Sequence, residues 1–537
     1  MVGKALSRRG ARHEVDAAAL IGVDELAHAA GAAFEWASRQ PDVREVEIFV
    51  ASNVTLLARL NYTSHIPCNG VEEPKSRTAH GIGIQAVFAG PGGARIGFGS
   101  EPSDLTLRGA ERALAKARKA AVHDPEFVSL PKPGPEQRRL RADHDHALMA
   151  LDDHGLVEAG WKVVNGALRT FTTSGRLLEL AGGEPKLPAL GLIIGGDVTV
   201  TQERIAIAST HLPSVLTDES AAITASVTAM VESHDAKGAS SALATRLDHF
   251  TDEAGTEAAQ NAIDAIGGVR VPSGTYAVVL GRQPLADLLN NLIVPACMAP
   301  SFYASNTPFL GRLGQRVGSQ LLRLSDDGAA PGLVVSKGIT CEGLPTGRTE
   351  LIRDGVLVGC LSSWYETERL LRDPARRDKL GPASDEAVSR ALAPRNGFRF
   401  GAGGGRQFGE SPSVSSSNVV LEADETLARE ELLRRVGNGL YIGRIWYTYA
   451  INGLRAGDFT CTVVGDSYII RDGRIAEPLR ANTIRINDNI ATILNNVVGV
   501  TKDVRGTVVW GEVAYTPEIA VSGVRVDAIA SFMEDLA

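Results

Sequence analysis

From Tyr276 onward the chain is written in short β-branched runs broken by Gly, Asp and Asn, a pattern that no helical bundle can absorb. The runs 277–280, 333–336, 349–357, 441–446, 468–471 and 508–513 predict short, mostly antiparallel strands, with helices between them near 284–292, 366–372 and 491–498. The first half reads differently. Residues 23–39 have helical spacing, with Asp24 and Glu25 in the first turn and Pro41 beyond the end. Val46, Ile48 and Val50 then alternate, 54–60 forms a second run, and 81–88 and 95–98 bracket the turn-rich stretch 90–93. These predict a meander of strands. A helix over 105–122, capped by Ser103 or Asp104, covers one face; the runs 192–200 and 204–209, flanking a polar turn, and the run 221–231 supply further strands.

At 537 residues the chain exceeds what one hydrophobic core usually supports, so at least two domains are expected. The fold class is α+β: an N-terminal mixed α/β domain over 1–233, then a mostly antiparallel β-rich domain over 242–537. A polar connector at 128–153, with prolines at 131, 133 and 135, interrupts the first domain. The polar stretch 234–241 reads as the link, and a helical segment ending at Ile266 before Gly267-Gly268 opens the second domain.

A net charge of -8 without a long basic run argues against nucleic acid as a direct partner. The first twenty residues mix charged and apolar side chains and resemble no export or transit signal, and the apolar runs elsewhere fall far short of the roughly 20 residues that cross a bilayer. The five cysteines, Cys68, Cys297, Cys341, Cys360 and Cys461, include no CxxC pair, which argues against a disulfide framework or a thiolate zinc knuckle. A reduced, cytoplasmic protein is the expectation.

All 11 histidines lie at or before His249, leaving the β-rich half without the ligand that catalytic zinc usually requires. His144, His146 and His154 stand near Asp143, Asp145, Asp152 and Asp153, but they follow a proline-rich connector, where a solvated polar segment is the better reading than a metal site. His13-Glu14 starts like HExxH and fails at Ala17. The Gly-rich stretch 400–417, FGAGGGRQFGESPSVSSS, lacks the GK[ST] ending of a phosphate loop and reads as a flexible loop able to cover a cleft. There is no GxSxG elbow, and Cys341-Glu342 reads as a small buried thiol beside a turn glutamate.

The segment VPSGTYAVVL (271–280) resembles the TldD/PmbA family of metallopeptidase-related proteins, and further segments follow in the family's order. They are FLGRLGQRVG (309–318), the acidic turn Asp326-Asp327, Glu342-Gly343-Leu344-Pro345 with Arg348-Thr349, IRDGVL (352–357), NGLYI (438–442), Gly457-Asp458-Phe459 and the closing stretch 517–526. TldD-type members carry HExxxH shortly after the VVL strand, and laying the segments together without gaps puts Asn290, Asn291 and Pro295 on its His, Glu and His. Asn and Pro supply neither the usual zinc ligand nor a base of useful pKa.

That departure resembles the TldE, or PmbA, branch. The resemblance implies a metal-free subunit, without its own catalytic residues or cofactor, that pairs with a TldD-like zinc-bearing subunit and helps enclose a cleft for unfolded peptides or modified peptide precursors. Two other readings stay open. One is a stand-alone peptidase with a metal outside the family position, at the His144 to His154 cluster or at Asp326, Asp327 and Glu342. The other is a non-catalytic peptide-binding scaffold acting alone or as a homodimer.

Overall fold

The computed structural model describes residues 21–66, 70–90, 93–134, 145–401 and 405–530. His13, Glu14, Cys68, Asp143, His144 and the glycines of 402–404 lie outside the described residues.

Six long strands build the first sheet: β1 (Val43–Thr63), β2 (Lys75–Phe88), β3 (Arg95–Pro102), β4 (Leu192–Ser209), β5 (Leu216–Val231) and β6 (Ala236–Ala244). Their order is β3-β2-β1-β4-β5-β6, every neighbour antiparallel. Side chains alternate across a strand, and β1 obeys this over its whole length. Val46, Ile48 and Val50 bury beneath the helices Val23–Ala37 and Leu107–Ala120, and Leu56, Ala58 and Leu60 beneath Asp153–Thr173 and Glu253–Asp264. The odd positions Phe49 and Ala51 face the other way and pack with Ile339, Cys341 and Phe398 of the second half.

Four expectations change here. The polar turn expected between 192–200 and 204–209 is the middle of one strand, with Thr201, Gln202 and Glu203 in register on both neighbours. The two runs 46–50 and 54–60 form one strand without a turn, because Asn53 between them is buried and donates from Nδ2 to the Arg406 carbonyl at 2.7 Å. The expected link 234–241 is β6, registered along β5 from Val231↔Ala236 to Ile223↔Ala244. The helix that follows buries Ala254, Ala258, Ala262 and Ile263 in the first sheet's core, so sheet and core run on past 233 to Ile266. The connector, finally, ends in a 21-residue helix: Asp152 caps Asp153–Thr173 by accepting from the Gly155 N–H at 2.9 Å.

Among the described residues the second half holds a nine-stranded and a six-stranded sheet around one large core, with a two-stranded ribbon of Gly397–Phe398 and Ser413–Val414. The larger runs in the order Arg444–Ala450, Asp458–Gly465, Ile484–Asn489, Ile519–Ala528, Gly274–Leu280, Gly439–Ile442, Tyr468–Arg471 and Arg474–Pro478. All of these neighbours are antiparallel except Gly274–Leu280 with Gly439–Ile442. Residues 333–336, expected as a strand, are turns. Val334 N–H donates to the Tyr515 hydroxyl and Val335 N–H to Asn418 Oδ1, both at 3.0 Å, so side chains take the place of a strand partner. Among the described residues no helix is long and apolar enough to cross a membrane.

The described residues of the 400–417 stretch form a strut where a loose cover was expected. Arg406 is fully buried, with Nη1 2.8 Å from Asp218 Oδ2 and Nη2 2.9 Å from Glu203 Oε1, while Lys337 Nζ meets Glu203 Oε1 at 2.5 Å. Arg399, also buried, donates to Glu47 at 2.6 Å. Burial pushes the Glu203 carboxyl up, but Arg406 and Lys337 outweigh it and hold it well below the usual glutamate range; burial wins at Glu47, which has one cation and sits above that range. Gly81 and Gly83 of β2 let the strut approach: a Cβ on Gly83 would stand 2.2 Å from the Phe408 carbonyl oxygen.

Candidate functional site, a cleft beside the Asn290 helix

A cleft of about 1300 Å³ opens between the first sheet and the second half of the chain. Thr228, Ala239 to Leu243 and the helix Glu253–Asp264 form one wall; Gln283, Asp287, Arg429, Tyr441, Arg444, Trp446, Asp466 and Glu518 belong to the other. The strand Gly274–Leu280 leads straight into the helix Arg282–Leu288, so the VVL run delivers Gln283 and Asp287 to the cleft; Asn290, one turn further on, is buried behind them and does not line it.

That helix widens at Leu289–Ile293 into a π-turn, in which the Val294 N–H reaches back five residues to the Leu289 carbonyl. Pro295 supplies a local cause. It has no N–H to give, and in a regular α-helix its ring would collide with the carbonyl four residues earlier, at Asn291. The turn has a geometric consequence as well. Residues five apart lie about 140° apart around an α-helix, whereas an i→i+5 turn brings them toward one face. Positions 290 and 295 thus come close to sharing a face.

The side chains there do not fit zinc. Asn290 is buried and neither atom of its carboxamide has a hydrogen-bond partner. Asn291 donates to the Asp287 carbonyl at 3.1 Å and to its carboxylate, and the Pro295 carbonyl accepts from Ser301 Oγ at 2.7 Å. Burial pushes the Asp287 carboxyl up to about 6 against the donors Asn291 and Gln283. Gln283 also closes the sheet edge beside it: its Oε1 accepts from Ile445 N–H at 2.9 Å and its Nε2 donates to Ile445 O at 3.2 Å. On the same wall, Glu518 accepts from Tyr441 OH at 2.8 Å and pairs with Arg429 at 3.0 Å. These cleft residues carry no sequence signal of their own, because their partners lie far away in the chain.

The other candidates have structural employment. Asp145 accepts from the backbone of Ala147 at 3.0 Å and Leu247 at 2.8 Å, and Asp152 caps a helix; His154 lies exposed beside Glu158. Asp326 is buried and accepts from Asn396 Nδ2, Ser417 N–H and Ser417 Oγ at 2.6, 2.7 and 2.8 Å. Asp327 accepts from Ala329 N–H, and Glu342 from Trp364 N–H. Cys341 is buried, as are Cys297, Cys360 and Cys461, and all four are free thiols. Among the described residues no three His, Cys, Asp or Glu side chains are placed to hold a metal ion.

Residues 273–528, just under half of the chain, match the model of the PmbA/TldA metallopeptidase C-terminal domain, and this β-rich half belongs to the TldD/PmbA family. Metalloproteases from Methanothermobacter thermautotrophicus and Synechocystis are 24% identical over 254 residues and 26% over 248, covering 47% and 46% of this chain and 49% and 46% of theirs. A metalloprotease TldD homolog of Haemophilus influenzae is 23% identical over 228 residues, 42% of this chain and 41% of its own. The matches thus span about half the length of these curated relatives. In fold, the chain is similar to TldE from Thermococcus kodakarensis, with TM-score 0.71 and 17% identity over 94% of this chain and 100% of that one. It is similar too to a proposed modulator of a DNA gyrase from Thermotoga maritima, with TM-score 0.68 and 19% identity over 93% and 99%.

Proposed function

We propose that this chain is the metal-free, TldE/PmbA-like subunit of a heterodimeric zinc peptidase, pairing with a TldD-like subunit that carries the zinc and helping to hold unfolded peptides or modified peptide precursors for cleavage. The observation that carries this reading is the helix after the VVL strand. It borders the cleft through Gln283 and Asp287, and by the resemblance Asn290, Asn291 and Pro295 stand where TldD-type members have HExxxH. Carboxamides hydrogen-bond a peptide but neither ligate zinc well nor activate water. The cleft supports the same reading, since its mixture of aromatic and charged side chains suits an extended chain of varied sequence. The test is to co-express the chain with the HExxxH-bearing relative of its own genome and assay an unstructured peptide. Cleavage that requires both chains is expected, and equal partner activity with and without this chain overturns the proposal.

A further inference from the structure

The cations on the cleft walls differ in how they are paired. Arg429 has Glu518, Arg282 has Asp503 at 2.6 Å, Arg505 has Glu253 at 2.7 Å, and Arg176 donates to the Ile263 and Ile266 carbonyls at the end of their helix. Arg444 has none of these. Its Nη1 reaches Thr228 Oγ1 at 3.5 Å, the limit of a hydrogen bond, and among the described residues no carboxylate stands within 4.0 Å of its guanidinium. Burial holds it below arginine's ordinary value, although Asp466 lies near enough to pull the other way. A mostly desolvated guanidinium without an anion is costly.

Asp466 is the matching irregularity. Arg444 pairs with Gly465 across adjacent strands, which sets Asp466 beside it, 8% exposed and lining the same cleft. Its Oδ2 accepts from Ala239 N–H at 3.1 Å, and its buried Oδ1 has no partner. The Gln283 carboxamide takes both backbone groups of the next residue, Ile445, so a chain running along this edge has to end there.

We infer that Arg444 and Asp466 form a subsite for the C-terminal end of a peptide, Arg444 taking the terminal carboxylate and Asp466 Oδ1 the last backbone N–H. A terminal residue carries an acceptor pair and a donor two bonds apart, which matches the two unfilled groups; a glutamate or aspartate side chain carries the carboxylate alone. The inference rests on the reading of this cleft as a peptide cleft.

The experiment measures binding of one short, unstructured, N-terminally labelled peptide to the full-length chain by fluorescence anisotropy. It uses three forms: free C-terminal acid, C-terminal amide, and C-terminal amide with an internal glutamate. The acid is expected to bind at least about tenfold tighter than either amide, the size of one charge-assisted hydrogen bond. Arg444→Gln is expected to bring the acid down to the amide's affinity, and Arg444→Lys to keep part of the preference, with thermal melting confirming that both variants fold. Equal binding of all forms, tight binding of the internal-glutamate amide, or no binding of any form overturns the inference. If the preference is absent while a complex with the zinc-bearing relative still forms, end recognition falls and the subunit reading stands. A preference without a complex means the reverse.

Discussion

Replacing Arg406 by Met is expected to unpin residues 396–417 from the first sheet. Two carboxylates, Glu203 and Asp218, meet two cations, Arg406 and Lys337, with all four side chains buried. The group is neutral as it stands. Losing Arg406 leaves one uncompensated charge in a buried site, a change that costs about 3–5 kcal/mol in buried pairs. That energy corresponds to a factor of roughly 100 to 4000 in the local opening equilibrium. Amide hydrogen exchange of the strut reads it directly, since the N–H groups of Arg406 and Gln407 are bound to Glu203 Oε2 and the Arg399 carbonyl, both at 2.8 Å. Adding Asp218→Asn restores neutrality and keeps an oxygen for the Gly338 N–H, now 2.6 Å from Asp218 Oδ2, so the double variant is expected to regain most of the protection. Less than about a tenfold change in Arg406→Met, or no recovery in the double variant, would refute the charge argument.

Three further outcomes are expected. Gly83→Ala puts a methyl group against the Phe408 carbonyl and lowers stability by about 1–3 kcal/mol, read as a fall in the melting midpoint; an unchanged midpoint contradicts the close approach. Burial pushes the Glu342 carboxyl up to about 8 from an ordinary 4.5, so the folded state keeps a proton that the unfolded chain gives up. Stability therefore falls as pH climbs from 4.5 through about 8, and Glu342→Gln flattens that fall in chemical denaturation; parallel curves for the two proteins contradict it. Because the Pro295 ring favours the π-turn, the triple variant Asn290→His, Asn291→Glu, Pro295→His is expected to lose that turn, leave 290 and 295 on different faces of the helix, and gain no stoichiometric zinc by metal analysis. Stoichiometric zinc in that variant would contradict Pro295 as the cause of the turn.

Much of the strand pattern was legible because alternation along β1, β4 and β5 records which face is buried. What escaped depends on distant partners. The runs 46–50 and 54–60 read as separate, and nothing near Asn53 in sequence says that the Arg406 carbonyl will satisfy its amide. The helix Asp153–Thr173 went unread because its capping aspartate sits among histidines and carboxylates that suggest ligands. The 400–417 stretch looked loose for its glycines, yet Arg399 and Arg406, fixed by strands two hundred and more residues earlier, decide its role. Near the candidate site the sequence singled out Asn290, Asn291 and Pro295, while the π-turn and an Arg444 without a carboxylate in salt-bridge range emerged from packing.

The central claim is that this chain works as the partner of a zinc-bearing relative. The most direct measurement is the composition and peptidase activity of the purified assembly formed when both chains are co-expressed. The account expects one copy of each chain, zinc bound in the HExxxH-bearing subunit, and cleavage of an unstructured peptide that neither chain achieves alone. A chain that remains by itself, or a relative fully active without it, would contradict the account.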